Sequence, residues 1–249
     1  MITGCEKRPF SLPDLDNKKG TLYLLPNTLG SDADAYATAL SKRIAQDCQH
    51  FVVEEIKSAR KLLRSLGVTR PLEELEFYML NEHTRPEDAK TFTKPLAAGH
   101  DMAVISEAGV PCVADPGSAV VALAHEQNFR VIPISGPSSI IMALMASGMN
   151  GQLFTFNGYL PREKGERTKK IRQLEQLAIK GHTQLFMDAP YRNNQVLDDL
   201  LSQCRMDTKL CIAKNISCPD EKISTMEISG WHMARPDLHK QLVMFVLGK

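Results

Sequence analysis

The sequence predicts an α/β protein in two halves, and three observations carry that expectation. Short apolar runs alternate with stretches of helical periodicity along the chain. Two loops rich in small residues and proline, Ser106 to Ser118 and Ser135 to Ser139, each follow directly on an apolar run that reads as a buried parallel strand. After residue 205, three strand-like runs follow one another with only short turns, which calls for a mixed or antiparallel second sheet.

Thr21 to Leu25 is the first strand, Ala35 to Gln46 a helix and His50 to Val53 the next strand. Glu54 to Leu66 is helical, with Gly67 placed to end it. Glu76 to Leu80 is a strand, and Thr84 with Glu87 forms a capping box for a helix that stops near Gly99. Met102 to Ile105 is a strand. Asp115 is expected to cap a helix with Pro116 at its first position, ending near Asn128. Val131 to Ile134 closes the first half.

In the second half, Ser138 to Ser147 is a short apolar helix, Leu153 to Phe156 a strand and Lys164 to Lys180 a long charged helix. Gln184 to Asp188 is a buried strand, and Tyr191 to Cys204 a helix. Lys209 to Lys214, Lys222 to Ile228 and Gln241 to Leu247 complete the sheet. The expected organisation is a polar tail over 1–19, an α/β domain over 20–135 and a second over 136–249.

With 249 residues, 43% apolar and 24% charged, the chain has the composition of a globular protein. A net charge of +1 gives no global field toward nucleic acid or membrane, so any RNA contact must be local. No apolar run reaches the roughly 20 residues of a membrane span. The N-terminus lacks the apolar core of a secretory signal, which points to the cytoplasm. None of the six cysteines forms a C-x-x-C pair, and Cys204, Cys211 and Cys218 are spaced too widely for a zinc site, so no metal is expected.

In an open α/β sheet, ligands bind at the carboxyl ends of the strands. The two small-residue loops are therefore the candidate ligand site. Four segments together resemble the tetrapyrrole methylase superfamily. They are Gly20 to Pro26, Ser106-Glu107-Ala108-Gly109-Val110-Pro111 with Asp115-Pro116-Gly117, Gly136 to Ser139, and Gly158 to Arg167. Within it they most resemble the small-subunit rRNA (cytidine-2′-O)-methyltransferases.

The resemblance implies S-adenosylmethionine as methyl donor, held in a cleft between two α/β domains, and a homodimer. It implies that Leu25 and Pro26 wall the cleft, that Glu107, Ala108, Gly109 and Val110 meet the methionyl part, and that Ser138 and Ser139 hydrogen-bond the cofactor. Met187, Asp188 and Ala213 would surround the adenosine. The sequence departs from the family where Pro-Ile-Gly-Asn becomes Asn27-Thr28-Leu29-Gly30-Ser31, where Ala-Glu-Asp-Thr-Arg becomes Val53-Glu54-Glu55-Ile56-Lys57, and where the loop aspartate becomes Glu107. Lysine does not reproduce the bidentate fork of arginine.

Methyl transfer to oxygen is an in-line displacement that needs alignment, water exclusion and, for a ribose hydroxyl, a base. Glu54 and Glu55 are the candidate catalytic residues; the competing role for an acid here is to favour a helix N-terminus. Lys57, Asn81 and Glu82 are candidate substrate contacts. Arg162, Lys164, Arg167, Lys169 and Lys170, with Arg172, form the densest basic segment and a candidate site for RNA phosphates. A solvated helix laced by Glu163–Arg167 and Glu166–Lys170 pairs is the other reading. Tyr191 either stacks on a base or covers a helix start, and Trp231 is expected to pack. The expected partner is rRNA or the small ribosomal subunit, with no membrane. Two further readings stay open: the same fold methylating a tetrapyrrole or other small molecule, and a non-catalytic RNA-binding ribosome-assembly factor.

Overall fold

The computed structural model describes residues 19–32, 35–80, 84 and 90–249. The chain divides into two compact units. One comprises the described residues of Met1–Pro26, Ala37–Glu107 and Pro111–Ser135; the other comprises Asn27–Tyr36, Ala108–Val110 and Gly136–Lys249. The short segments 27–36 and 108–110, expected with the first half, group with the second.

The first unit is built on β1 (Thr21–Leu25), β2 (His50–Val53), β3 (Glu76–Met79), β4 (Met102–Ile105) and β5 (Arg130–Pro133), in the order β3-β2-β4-β1-β5. All pairs are parallel. Among the described residues its α-helices are α1 (Ala39–Asp47), α2 (Ile56–Ser65), α3 (Lys94–Ala97) and α4 (Ser118–Glu126). Leu22, Val52, Leu96, Met102, Val104, Val120 and Ala124 form one buried cluster, the near-continuous apolar strands that a covered parallel sheet requires.

Helix starts shift from their expected places because side chains other than those expected do the capping. α1 begins at Ala39, where Thr38 and Ser41 make a reciprocal capping box. α2 begins at Ile56, where the Glu55 carboxylate accepts from the backbone N–H of Lys57 (2.8 Å) and Ser58 (2.6 Å). α4 begins at Ser118 without a side-chain cap, and Asp115 instead closes the loop before it. The expected box of Thr84 and Glu87 lies partly outside the described residues.

The second unit is built on β6 (Phe154–Tyr159), β7 (Thr183–Met187), β8 (Lys209–Lys214), β9 (Lys222–Glu227) and β10 (Val243–Gly248), in the order β6-β7-β10-β8-β9. β6 and β7 are parallel and the other pairs antiparallel, giving the expected mixed sheet. Its helices are α5 (Ser139–Ser147), α6 (Lys164–Ile179), α7 (Asn193–Gln203) and α8 (Ile228–Met233). Ile171, Leu174 and Ala178 recur at helical spacing on α6 and pack with Val196, Leu200, Phe186 and Phe245. Ile140, Ala143 and Leu144 of α5 join Leu185, Ala213, Met244 and Val246 in a second cluster. Trp231 on α8 packs as expected, 4% exposed, with its Nε1–H donating to Leu210 O at 2.8 Å.

Candidate functional site

The parallel pairing of β2, β4 and β1 sets Val53, Ile105 and Leu25 in register. The residues that follow leave the sheet at the carboxyl ends of these three inner strands. Glu54 and Glu107 therefore emerge side by side, and the loop from Pro111 returns Asp115 to them. A hydrogen bond joins the Glu54 and Asp115 carboxyls, and the Glu107 backbone N–H donates to Glu54. Two carboxyls can hydrogen-bond only through a shared proton. Burial above all, then the bond to Asp115 and the charges of Asp115 and Glu107, push the Glu54 carboxyl up to about 7. Burial also raises Glu107, aided by the charges of Glu55 and Asp115 and opposed by a hydrogen bond from Ser58.

Glu55 is assigned differently. Both its carboxylate oxygens cap α2, so the helix-start role replaces the expected catalytic one. Lys57 lies exposed in the first turn of that helix. Asn81 and Glu82 lie outside the described residues.

Asp115 is the site residue that the sequence reading misassigned. Its Oδ1 accepts from the backbone N–H of Gly117 (2.6 Å) and Cys112 (3.2 Å). Cys112 and Ala114 sit in the left-handed region, at φ 68° and 57°. The Asp-Pro-Gly sequence carried the relevant signal, because Asp commonly hydrogen-bonds the backbone two residues on.

In the second unit, the Asn27 N–H donates to Gly109 O (2.9 Å) and the Gly109 N–H to Thr28 O (3.2 Å). Gly109 has φ 69°, and a Cβ there would stand 3.0 Å from Pro137 O. Only glycine suits that close approach of bare backbone. Ser138 caps α5 through a long 3.5 Å contact to the Ile141 N–H, and Ser139 opens the helix. Met187 and Ala213 both pair with Met244 of β10, which sets them in one row across the sheet. Ala213 is buried within the apolar cluster beneath α5. Asp188, just past β7, accepts from Arg192 and from the Ala189 N–H through Oδ1, while its buried Oδ2 has no partner among the described residues.

The basic segment is thinner than its sequence suggests. Arg167 is 1% exposed and pairs with Asp199 at 2.7 Å, so it is unavailable to a phosphate and the expected Glu163–Arg167 pair does not form. Glu163 instead caps α6, and Glu166 pairs with Lys169 rather than Lys170. Arg162, Lys164 and Lys169 are exposed and Lys170 is half-buried. The buried Arg167 has a second duty: its Nη1 donates to the carbonyls of Pro161 (3.3 Å) and Arg162 (2.8 Å). Arg192, held by Asp188, donates to Leu160 O at 3.5 Å. Two arginine–aspartate pairs thus hold three successive carbonyls of one surface loop, an arrangement with no signal in local sequence spacing.

Comparison with known proteins is consistent across sequence and fold. The model of the tetrapyrrole (corrin/porphyrin) methylases matches residues 28–230. The ribosomal RNA small subunit methyltransferase I of Mesorhizobium japonicum is 30% identical over 91% of this chain and 74% of its own length. That of Halalkalibacterium halodurans is 32% identical over 74% of this chain, and the match spans 60% of its length. Among solved structures, the methyltransferase CobJ superposes with a TM-score of 0.61 at 17% identity, covering 93% of this chain and 94% of its own. The cobalt precorrin-4 methyltransferase CbiF gives 0.60 at 15%, covering 92% and 94%. At those identities the solved structures speak for the fold alone.

Proposed function

Because the chain belongs to the tetrapyrrole (corrin/porphyrin) methylase family, we propose that it is an S-adenosylmethionine-dependent methyltransferase that methylates a ribose 2′-hydroxyl of small-subunit ribosomal RNA. The bound sulfonium supplies an electrophilic methyl group. Residues of the second unit fit such a ligand: Gly109 leaves bare backbone beside Pro137, and Asp188 Oδ2, without a partner among the described residues, can accept from a ligand amine or hydroxyl. Ala108, Val110, Ser138, Ser139 and Met187 complete that proposed set.

The observation that carries the reaction is Glu54. A ribose hydroxyl must lose its proton as the new bond forms, and a carboxyl that titrates near 7 is matched to that transfer at neutral pH. Ionised Glu54, oriented by the Glu107 backbone N–H, takes the hydroxyl proton, and the bond to Asp115 forms once Glu54 holds that proton. Arg162, Lys164, Lys169 and Lys170 supply charge for RNA phosphates. The ribosomal substrate follows the names of the sequence relatives, and with it we propose a cytoplasmic protein that acts as a homodimer.

The test incubates the protein with labelled S-adenosylmethionine and small ribosomal subunits, then digests the RNA to nucleosides. A 2′-O-methylnucleoside is expected, and Glu54→Gln should slow turnover by roughly 10²–10⁴-fold. Label on a base, or transfer only to a tetrapyrrole, refutes the ribose reading. Near-normal turnover in Glu54→Gln removes the base.

A further inference from the structure

We propose that Tyr159 and Tyr191 form a stacking platform for unpaired RNA bases, fixed in place by the two buried arginine–aspartate pairs. The proposal rests on the RNA-substrate reading above and names how that substrate is gripped.

Both rings are exposed, Tyr159 by 61% and Tyr191 by 64%, where a large ring usually covers apolar surface. They belong to neighbouring segments. Tyr159 pairs with Met187 across β6 and β7. Asp188 follows Met187 and holds Arg192, and Arg192 reaches back to Leu160 O. Each tyrosine thus stands one residue from the Arg192–Leu160 contact.

The backbone beneath them is held by side chains rather than by regular secondary structure. Residues 160–163 have no regular secondary structure. Three of their carbonyls are nonetheless taken by guanidinium groups whose aspartates, Asp188 and Asp199, are nearly inaccessible. Burying ion pairs is costly in desolvation. What these pairs achieve is a fixed geometry for the residues on either side. Preorganised aromatic faces lose little freedom when a base stacks on them.

Charge surrounds the platform in the sense a polyanion requires. Arg162 and Lys164 are exposed on one flank. On the other, Lys240 is exposed and its backbone N–H donates to Pro190 O at 3.0 Å, beside Tyr191. Glu163, the acid between Arg162 and Lys164, is engaged in capping α6. Aromatic faces flanked by cations are the elements of single-strand recognition, in which bases stack and phosphates pair with cations. A duplex keeps its bases stacked inside and cannot use such a platform.

The test measures fluorescence anisotropy of a fluorescein-labelled single-stranded RNA oligonucleotide and of its duplex, using the full-length protein. The native protein is expected to prefer the single strand. Tyr159→Ala and Tyr191→Ala should each weaken single-strand binding by about tenfold, Phe in place of Tyr should restore it, and affinity for S-adenosylmethionine by calorimetry should stay within twofold. The salt slope should not change in the tyrosine variants, since no phosphate contact is removed, whereas Lys164→Glu should flatten it. A double alanine variant that binds within twofold of native overturns the platform while leaving the RNA reading intact. A native protein that binds S-adenosylmethionine but no RNA overturns both.

Discussion

Glu54 and Glu55 are chain neighbours with the same side chain, yet β2 ends between two environments. Glu55 turns to the free N–H groups of α2, and Glu54 turns to Asp115. Glu55→Ala should therefore cost about 1 kcal/mol of stability, the usual loss of a helix cap, with turnover retained. Glu54 links the site to pH. Its carboxyl titrates at about 7 in the folded protein, against about 4.3 in an unfolded chain. The folded state then holds more protons between those values, and the stability this confers is full below pH 4.3 and lost as pH rises through 7. Thermal unfolding midpoints should fall between pH 5 and pH 8, and Glu54→Gln should make the decline shallower. An unchanged slope in that variant would contradict the assignment.

At the scale of elements, periodicity and composition made the strands legible: Thr21–Leu25, His50–Val53, Met102–Ile105 and Lys209–Lys214 lie where the sequence puts them. Helix starts were less legible, because Thr38, Glu55 and Asp115 each had several backbone groups within reach and only the fold selects among them. α8 was missed because six residues with Gly230 among them are too short to show a helical period. The apolar positions of α6 were readable, but the burial of Arg167 among them was not, since its partner Asp199 stands on another helix. Removing that partner leaves an uncompensated buried charge. Asp199→Ala should cost about 3–5 kcal/mol, whereas Lys169→Ala, which breaks only an exposed pair, should fall within about 0.5 kcal/mol. Chemical denaturation of the two variants checks the contrast.

For the whole molecule, the α/β class and the mixed character of the second sheet followed from the order of strand and helix patterns. Strand order did not. Nor did the grouping of residues 27–36 and 108–110 with the second unit, because the backbone contacts that tie Asn27 and Thr28 to Gly109 join segments far apart in sequence. β10 shows the same non-locality in its strongest form. It lies between β7 and β8 as the middle strand of its sheet, although it comes after every other strand in the chain. During synthesis, β6 to β9 are made first, yet β7 and β8 lack the strand that joins them until residues 243–248 emerge from the ribosome. Until then the second sheet exists only as two separate edges, β6–β7 and β8–β9, and the nascent chain must keep them from pairing wrongly. A chain stopped at Leu242 should therefore be digested rapidly by protease across Gly136 onward, and the arrival of β10 sets the moment at which this unit can fold.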